Sequence, residues 1–391
     1  MSPTLENKTH VLMVTWAFPP NFGGATVQAT YLATELKKRG TVDVAFITDN
    51  RNRKSGHDIY GGVEVFHCST FFSGGHLDEF IFAVRVFIYV LFNRRFQVIH
   101  FHSIRGLEAL IFPLLRLLGK RVVLKLTLIG VDDPMAFRKR KKLGFLYSWG
   151  LAFVNRYVAI SSRLRELALE AGVPEKKVVK IHNGVDTARF SEMSCQERSA
   201  LKESLGITAL KVFLSIGKVE ERKGYDFLLR AWLDIRKSIR DCVLLIIGPA
   251  NDESNPYYLS LHRFISDNCL DNVFFLGKID RVEEYVKVSD CFLFCSRAEG
   301  FGTVVIEAMS SGVPVVALNI PGVTEEIIRE EAVSRICYSD APEEFAGMVV
   351  DMMSRPEPVK VREATARVRD QFAISAIARQ YEKMYEELGR S

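Results

Sequence analysis

Short apolar runs recur along the chain and alternate with longer stretches of helical periodicity. The first covers residues 10–16, and after a glycine pair a helix is predicted from about 25 to 39, stopped by Gly40. Further strands are predicted over 42–48, 63–68, 97–102, 121–126, 156–160 and 178–181, with Ser161-Ser162 as the N-cap of a helix reaching Ala171. A polar segment, 191–208, then serves as linker and opening helix, and the alternation restarts. Strands follow over 212–216, 243–247, 273–276, 290–295 and 313–318, and helices over about 342–354 and 359–388. The run at 290–295 is apolar almost throughout rather than alternating, as strands are when helices cover both sheet faces. The pattern predicts an α/β chain with two parallel-sheet domains.

One run departs from this rhythm. Residues 80–92 are apolar apart from Arg85, and Arg94 and Arg95 follow. A helix of that length reaches about 20 Å, short of the roughly 30 Å hydrocarbon core of a bilayer. Two readings are open: a buried core helix, or one lying in a membrane interface with its arginines among the headgroups.

Composition adds less than charge. The chain has 391 residues, enough for two or three domains, and 48% hydrophobic with 25% charged residues is a globular composition. Its seven cysteines form no C-x-x-C and, with no secretory signal in view, read as reduced thiols of a cytoplasmic protein. Cys291 and Cys295, four apart on one strand, are expected to pack in the core. The net charge of +5 divides unevenly: residues 1–185 carry 26 Lys and Arg against 14 Asp and Glu, and the remainder 26 against 33. The basic half calls for an anionic partner, and no nucleic-acid-binding signature accompanies it. The run Arg138-Lys-Arg-Lys-Lys142, with Phe145, Tyr147 and Trp149 beside it, reads either as an anchor on an anionic membrane surface or as a solvated loop.

The candidate chemistry concentrates after the strand at 290–295. Ser296 to Pro314 carries two carboxylates, Glu299 and Glu307, with Gly300 and Gly302 beside the first. A helix from Thr303 to Ser311 is expected to follow, closed by Gly312. Glu299 then lies at the carboxyl end of a strand, where open α/β sheets bind ligands. The glycines let backbone approach closely, and free N–H groups at the helix start favour an anion such as a diphosphate. Glu307, about one turn on, reaches the same pocket. Acceptor-only side chains on either side of a diphosphate suit sugar hydroxyls. Two glutamates at a helix start also occur as a cap plus a surface residue, but the EGFG sequence and its apolar flanks favour the site.

On these residues the chain resembles the retaining nucleotide-sugar glycosyltransferases of glycosyltransferase family 4, whose E-x7-E motif matches Glu299 through Glu307. The resemblance implies the GT-B fold, two Rossmann-like parallel-sheet domains facing across a cleft. Residues 1–185 with a C-terminal helix at about 372–388 would bind the acceptor, and 186–371 the donor. Glu307 would hold the ribose, Glu299 would contact the donor sugar near the anomeric carbon, and Phe301 and Thr303 would also bind the donor. The family's diphosphate-gripping G-R-x-x-x-x-K-G appears as Gly217-Lys218 to Lys223-Gly224, a lysine replacing the arginine. Gly248 would lie beside the donor, and Lys278 and Ile279 beside its base. The P-P-x-x-G-G loop, ending in Gly23 and Gly24, would approach the diphosphate. His102, from an H-x-H often found there, would bond the acceptor or serve as a structural imidazole. Where relatives have a histidine before a glycine, this chain has Ile129 before Gly130. Asp132 and Asp133 would act on the acceptor instead, or cap the next helix.

No D-x-D is present, so no metal is expected, and no cofactor beyond a UDP- or GDP-type donor. The expected partners are that nucleotide sugar, a glycan or lipid-linked acceptor and an anionic membrane surface, without nucleic acid. The expected function is retaining sugar transfer in cell-surface polysaccharide or lipopolysaccharide synthesis. Two rivals stay open, a GT-B sugar-nucleotide 2-epimerase and a non-catalytic nucleotide-sugar-binding subunit. The expected location is cytoplasmic, with peripheral attachment to the inner face of the cell membrane as the alternative.

Overall fold

The computed structural model describes residues 8–18, 23–49, 55–69, 75–140, 144–250, 255–329 and 334–390. Residues 19–22 of the first glycine loop, and Lys141 and Lys142 of the basic run, lie outside the described residues.

The first half runs β1 (Thr9–Thr15), α1 (Gly24–Arg39), β2 (Val42–Asp49), β3 (Gly56–Tyr60), β4 (Val63–Cys68), α2 (His76–Phe92), β5 (Val98–His102), α3 (Phe112–Leu117), β6 (Arg121–Leu126), α4 (Pro134–Arg138), α5 (Gly144–Leu151), β7 (Arg156–Ala159), α6 (Ser162–Glu170) and β8 (Val178–Lys180). The second runs α7 (Cys195–Ser204), β9 (Lys211–Ile216), α8 (Tyr225–Ser238), β10 (Cys242–Ile247), α9 (Pro256–Asp267), β11 (Val273–Gly277), α10 (Val282–Val288), β12 (Cys291–Phe294), α11 (Thr303–Ser310), β13 (Val315–Leu318), α12 (Thr324–Ile327), β14 (Ser334–Cys337), α13 (Pro342–Ser354), α14 (Pro358–Phe372) and α15 (Ile374–Arg390).

The chain divides into two compact units, Met1–Gly184 with Ile374–Ser391, and Val185–Ala373. The long terminal helix expected over 359–388 is broken at Ala373, which leaves the helical region (φ −55°, ψ 135°). Ala373 bridges to Val185, whose N–H donates to Phe372 O at 2.8 Å, so the chain changes unit at both places together.

In the first unit eight strands form one sheet in the order β3-β4-β2-β1-β5-β6-β7-β8. All neighbours pair in parallel except β3, which is antiparallel to β4, so this sheet is not wholly parallel as expected. β3 is exposed at every position, as an edge strand without a second layer can be. α1 and α15 cover one face, burying Leu32, Leu36, Tyr381, Met384 and Tyr385 against strand residues such as Val11, Val44 and Val98. Gly40 ends α1 in the left-handed conformation (φ 70°).

The second unit is a six-stranded, all-parallel sheet in the order β11-β10-β9-β12-β13-β14. Trp232, Phe213, Leu244 and Leu293 lie in its core together with Cys291 and Cys295. Strand order reverses between β9 and β12, so the loops leaving them separate to opposite sides and open a crevice at their carboxyl ends. In the first unit the corresponding point lies between β1 and β5.

Candidate active site

The crevice at β9 and β12 is built from two loops fastened to each other. Gly217 to Gly224 follows β9. Ser296 to Gly302 follows β12. The Arg297 N–H donates to Arg222 O at 2.7 Å, and its guanidinium donates to Glu221 O (2.9 Å) and to the Asp226 carboxylate (2.6 Å). Gly224 lies where these loops cross. Its φ is +66°, and a Cβ there would fall 2.1 Å from Cys295 O. Gly248, after β10, is equally confined: its φ is +153° and a Cβ would meet Gly217 O at 2.0 Å. Its N–H donates to Gly277 O at 2.8 Å, drawing the ends of β9, β10 and β11 together. The Tyr225 hydroxyl donates to Gly217 O (2.7 Å).

This fastening sets Glu299 against two cations. Lys223 Nζ donates to Glu299 Oε1 at 2.5 Å, and Arg222 lies 3.1 Å from the same oxygen. Burial pushes the Glu299 carboxyl up, but Lys223, Arg222 and a hydrogen bond from Ser296 outweigh it and hold the group below its ordinary range. Lys218 stands apart, half-exposed and 3.5 Å from Glu220, which also pairs with Arg222 at 2.6 Å. Lys223 and Glu299 are therefore joined directly, while Lys218 is linked to them through Glu220 and Arg222.

Gly300, Phe301 and Gly302 are buried, and Phe301 packs on Phe372 with ring centroids 5.6 Å apart. Gly302 (φ 92°) turns the chain into α11, whose first residue is Thr303. Glu307, one turn in, is buried, and burial pushes its carboxyl up to about 8 against the attraction of Arg189. Among the described residues no side chain hydrogen-bonds that carboxyl, and Arg189 itself bonds the Glu283 carboxylate (2.7 Å) and Asp280 O (3.0 Å). Lys278 is exposed and Ile279 half-buried in the loop after β11. Arg222 and Arg189 were not singled out in the sequence, and no motif spacing marks either.

In the first unit Gly23 is the extended residue before α1 (φ −125°), and among the described residues no atom beyond its chain neighbours lies within 4 Å of a Cβ built on it or on Gly24. The aspartates after β6 turn into their own loop. Asp132 accepts from the N–H of Thr127 and Leu128 and from Thr127 Oγ1 (2.6 Å), and burial raises its carboxyl despite those bonds. Asp133 caps α4, accepting from Ala136 N (2.8 Å) and Gly130 N (2.6 Å). Both lie buried; Asp133 fills the helix-cap role expected as one of two, while Asp132 braces its own loop. Ile129 is half-buried in the same loop.

His102 ends β5, buried, with neither ring nitrogen bonded among the described residues. It stacks on His100 (4.0 Å between centroids), whose Nδ1 shares a 2.6 Å hydrogen bond with the Tyr385 hydroxyl. Burial depresses both imidazoles well below their usual range, and Lys125 adds to it. Lys125 pairs with His102 across the sheet, and burial alone pulls its ammonium down to about 7.

Comparison with known proteins gives this geometry a context. A family model described as Glycosyl transferases group 1 matches residues 197–369, and one described as Glycosyltransferase Family 4 matches residues 22–189. The chain is 24% identical over 378 residues to the N-acetyl-alpha-D-glucosaminyl L-malate synthase of Bacillus anthracis, covering 95% of this chain and 96% of that one. It is 26% identical over 247 residues to the lipopolysaccharide core biosynthesis mannosyltransferase LpsB of Rhizobium meliloti, covering 62% and 69%. Among solved structures, Anabaena Alr3699/HepE in complex with UDP and glucose superposes with a TM-score of 0.76 at 19% identity, over 96% of this chain and 98% of that one.

Proposed function

The chain belongs to glycosyltransferase family 4 and has the GT-B fold, and from that premise we propose that it is a metal-independent, retaining hexosyltransferase using a UDP- or GDP-type sugar donor. The observation that carries the reading is the pair of carboxylates at the β9/β12 crevice. Glu299 is ionised and gripped by Lys223 and Arg222, while Glu307 is buried without a hydrogen-bonding side chain among the described residues. A carboxylate so placed has acceptor sites to offer a ligand's hydroxyls. The two vicinal hydroxyls of a ribose are donors of the right kind.

On this reading Glu307 takes the ribose, the loop from Gly300 to Thr303 receives the diphosphate on its backbone N–H groups, and Lys223, Lys218 and Arg222 supply positive charge. Charge gathers on the leaving diphosphate as its bond to the anomeric carbon breaks, and fixed cations there lower the barrier. The acceptor oxygen bonds the same carbon on the face the phosphate leaves, and its proton passes to a phosphate oxygen. Glu299, next to that carbon, orients the sugar hydroxyls. The acceptor is a glycan or a lipid-linked glycan of cell-surface polysaccharide or lipopolysaccharide synthesis, a reading supported by the relative that is a lipopolysaccharide core mannosyltransferase.

The test is incubation with labelled UDP- and GDP-sugars, with and without membrane lipid extract and with EDTA present. Transfer to an extractable acceptor with the donor's anomeric configuration, read by NMR, is the expected outcome. An epimerised donor formed without acceptor, binding without turnover, or a requirement for added magnesium would each overturn a named part of the proposal.

A further inference from the structure

α2 is apolar on both of its faces. Its inward side buries Phe82, Ala83, Val86 and Val90. The opposite side carries Leu77, Phe80, Val84, Ile88 and Phe92, spaced three or four residues apart and therefore on one outward stripe. Four of these five are exposed, Phe92 by 79%. α2 touches α3, and α3 touches α5. α3 and the residue that follows it expose Leu114, Leu117 and Leu118, with Leu117 83% exposed. α5 and the turn after it expose Phe145, Trp149 and Phe153, again at a helical spacing of four. Exposed single apolar residues are ordinary, but so many of them on three adjoining helices point to an interaction surface.

Charge identifies the partner. Between residues 75 and 155 the acidic residues are Asp78, Glu79, Glu108, Asp132 and Asp133, and all are buried or nearly so. Arg94, Arg95, Arg138 and Lys139 are exposed over the same stretch. This corrects the expectation that the 138–142 run and its three aromatics would form the anchor together. Tyr147 is buried, and Arg140 is engaged by Arg105 O and Val131 O and lies over the Phe137 ring. The apolar field lies on α2, α3 and α5, with cations around it.

We propose that the outward faces of α2, α3 and α5 form one docking surface that lies in the interface of an anionic bilayer. Apolar side chains enter below the headgroups, and Arg94, Arg138 and Lys139 meet the lipid phosphates. The 17 residues of α2 extend about 25 Å, and among the described residues no helix is long and apolar enough to cross a membrane, so the surface lies in the plane. The inference concerns the first unit and does not rest on the donor-site reading in the second.

The test uses the full chain with phosphatidylglycerol–phosphatidylcholine vesicles and with pure phosphatidylcholine vesicles. Co-sedimentation with the anionic vesicles is expected, weakening with salt. Phe92→Glu and Leu117→Glu should each lower partitioning by roughly tenfold or more, since each replaces an apolar side chain that would enter the bilayer with a charge. Leu210→Glu and Val359→Glu, at exposed apolar sites of the second unit, should leave it unchanged. Brominated acyl chains should quench Trp149 fluorescence, and the quenching should vanish in Trp149→Phe. No sedimentation at low salt, or partitioning indifferent to the two α2 and α3 substitutions, overturns the proposal. So does a wild-type dimer that those substitutions dissociate without any lipid binding, which would make the face an interface between copies. Donor affinity, measured separately, should not change in any variant.

Discussion

Replacing Glu307 with glutamine changes one atom pair in the second unit and should alter how donor binding depends on pH. Burial raises the Glu307 carboxyl to about 8, so near pH 7 only about a tenth of the empty protein carries it ionised. Hydroxyl donors favour the ionised form, so the donor must draw from that tenth. The penalty is about 1.4 kcal/mol at pH 7 and about 2.7 kcal/mol at pH 6, vanishing above pH 8. Wild-type affinity should therefore rise about tenfold per pH unit from 6 to 7 and level off beyond 8. Glutamine cannot ionise, and its loss of hydrogen bonds to a charged acceptor costs roughly 1.5–3 kcal/mol. At pH 8.5 the variant should then bind the donor about 10–150-fold more weakly, with a profile that is flat in pH, so the two curves converge near pH 6. Isothermal titration with an intact nucleotide sugar, whose diphosphate stays ionised throughout, reads both curves. Repeating it in buffers of different ionisation enthalpy should show nearly one proton released per donor at pH 7. A flat wild-type profile, or equal affinities at pH 8.5, would remove Glu307 from the donor site.

Glu299→Gln should keep donor affinity within a few-fold while turnover falls by roughly 10–150-fold, and steady-state kinetics with both substrates varied separates these effects. Lys223→Ala leaves the part-buried Glu299 with Arg222 as its remaining cation among the described residues, so donor affinity should drop by at least about tenfold. Lys218→Arg, at a half-exposed position paired with Glu220, should bind donor as well as wild type or better. Lys125 is held near 7 when folded against 10.5 when unfolded, so its burial costs stability at every pH below about 10.5, and most below 7. Lys125→Met should raise the melting temperature at pH 7 by roughly 5 °C or more, and the gain should shrink as pH approaches 10; an equal gain at both pH values would contradict the buried-ammonium account.

The sequence determined what short range encodes. Fully apolar runs such as 243–247 announce strands covered on both faces, because only helices above and below a parallel sheet make every position inward. Gly40 and Ser161 mark helix ends, since a left-handed residue and an N-cap oxygen each satisfy neighbours within four residues. The loop holding Glu299 and the helix holding Glu307 were legible for the same reason. What required the tertiary structure is pairing over distance. Arg222 reaches Glu299 across 77 positions because β9 and β12 become neighbours at the strand-order reversal, and nothing local to either residue records it. Asp132 and Asp133 carry one composition whether they face a substrate or their own loop; only the folded loop displays the hydrogen bonds they accept from Thr127 and Ala136. β3 has no apolar alternation to reveal it, because an edge strand exposed throughout buries no side chain. An apolar stripe likewise reads the same buried or bare: α2 packs one side into the first unit, and only the arrangement of α3 and α5 beside it leaves the other side uncovered, where hydrophobicity becomes a surface property instead of a core one.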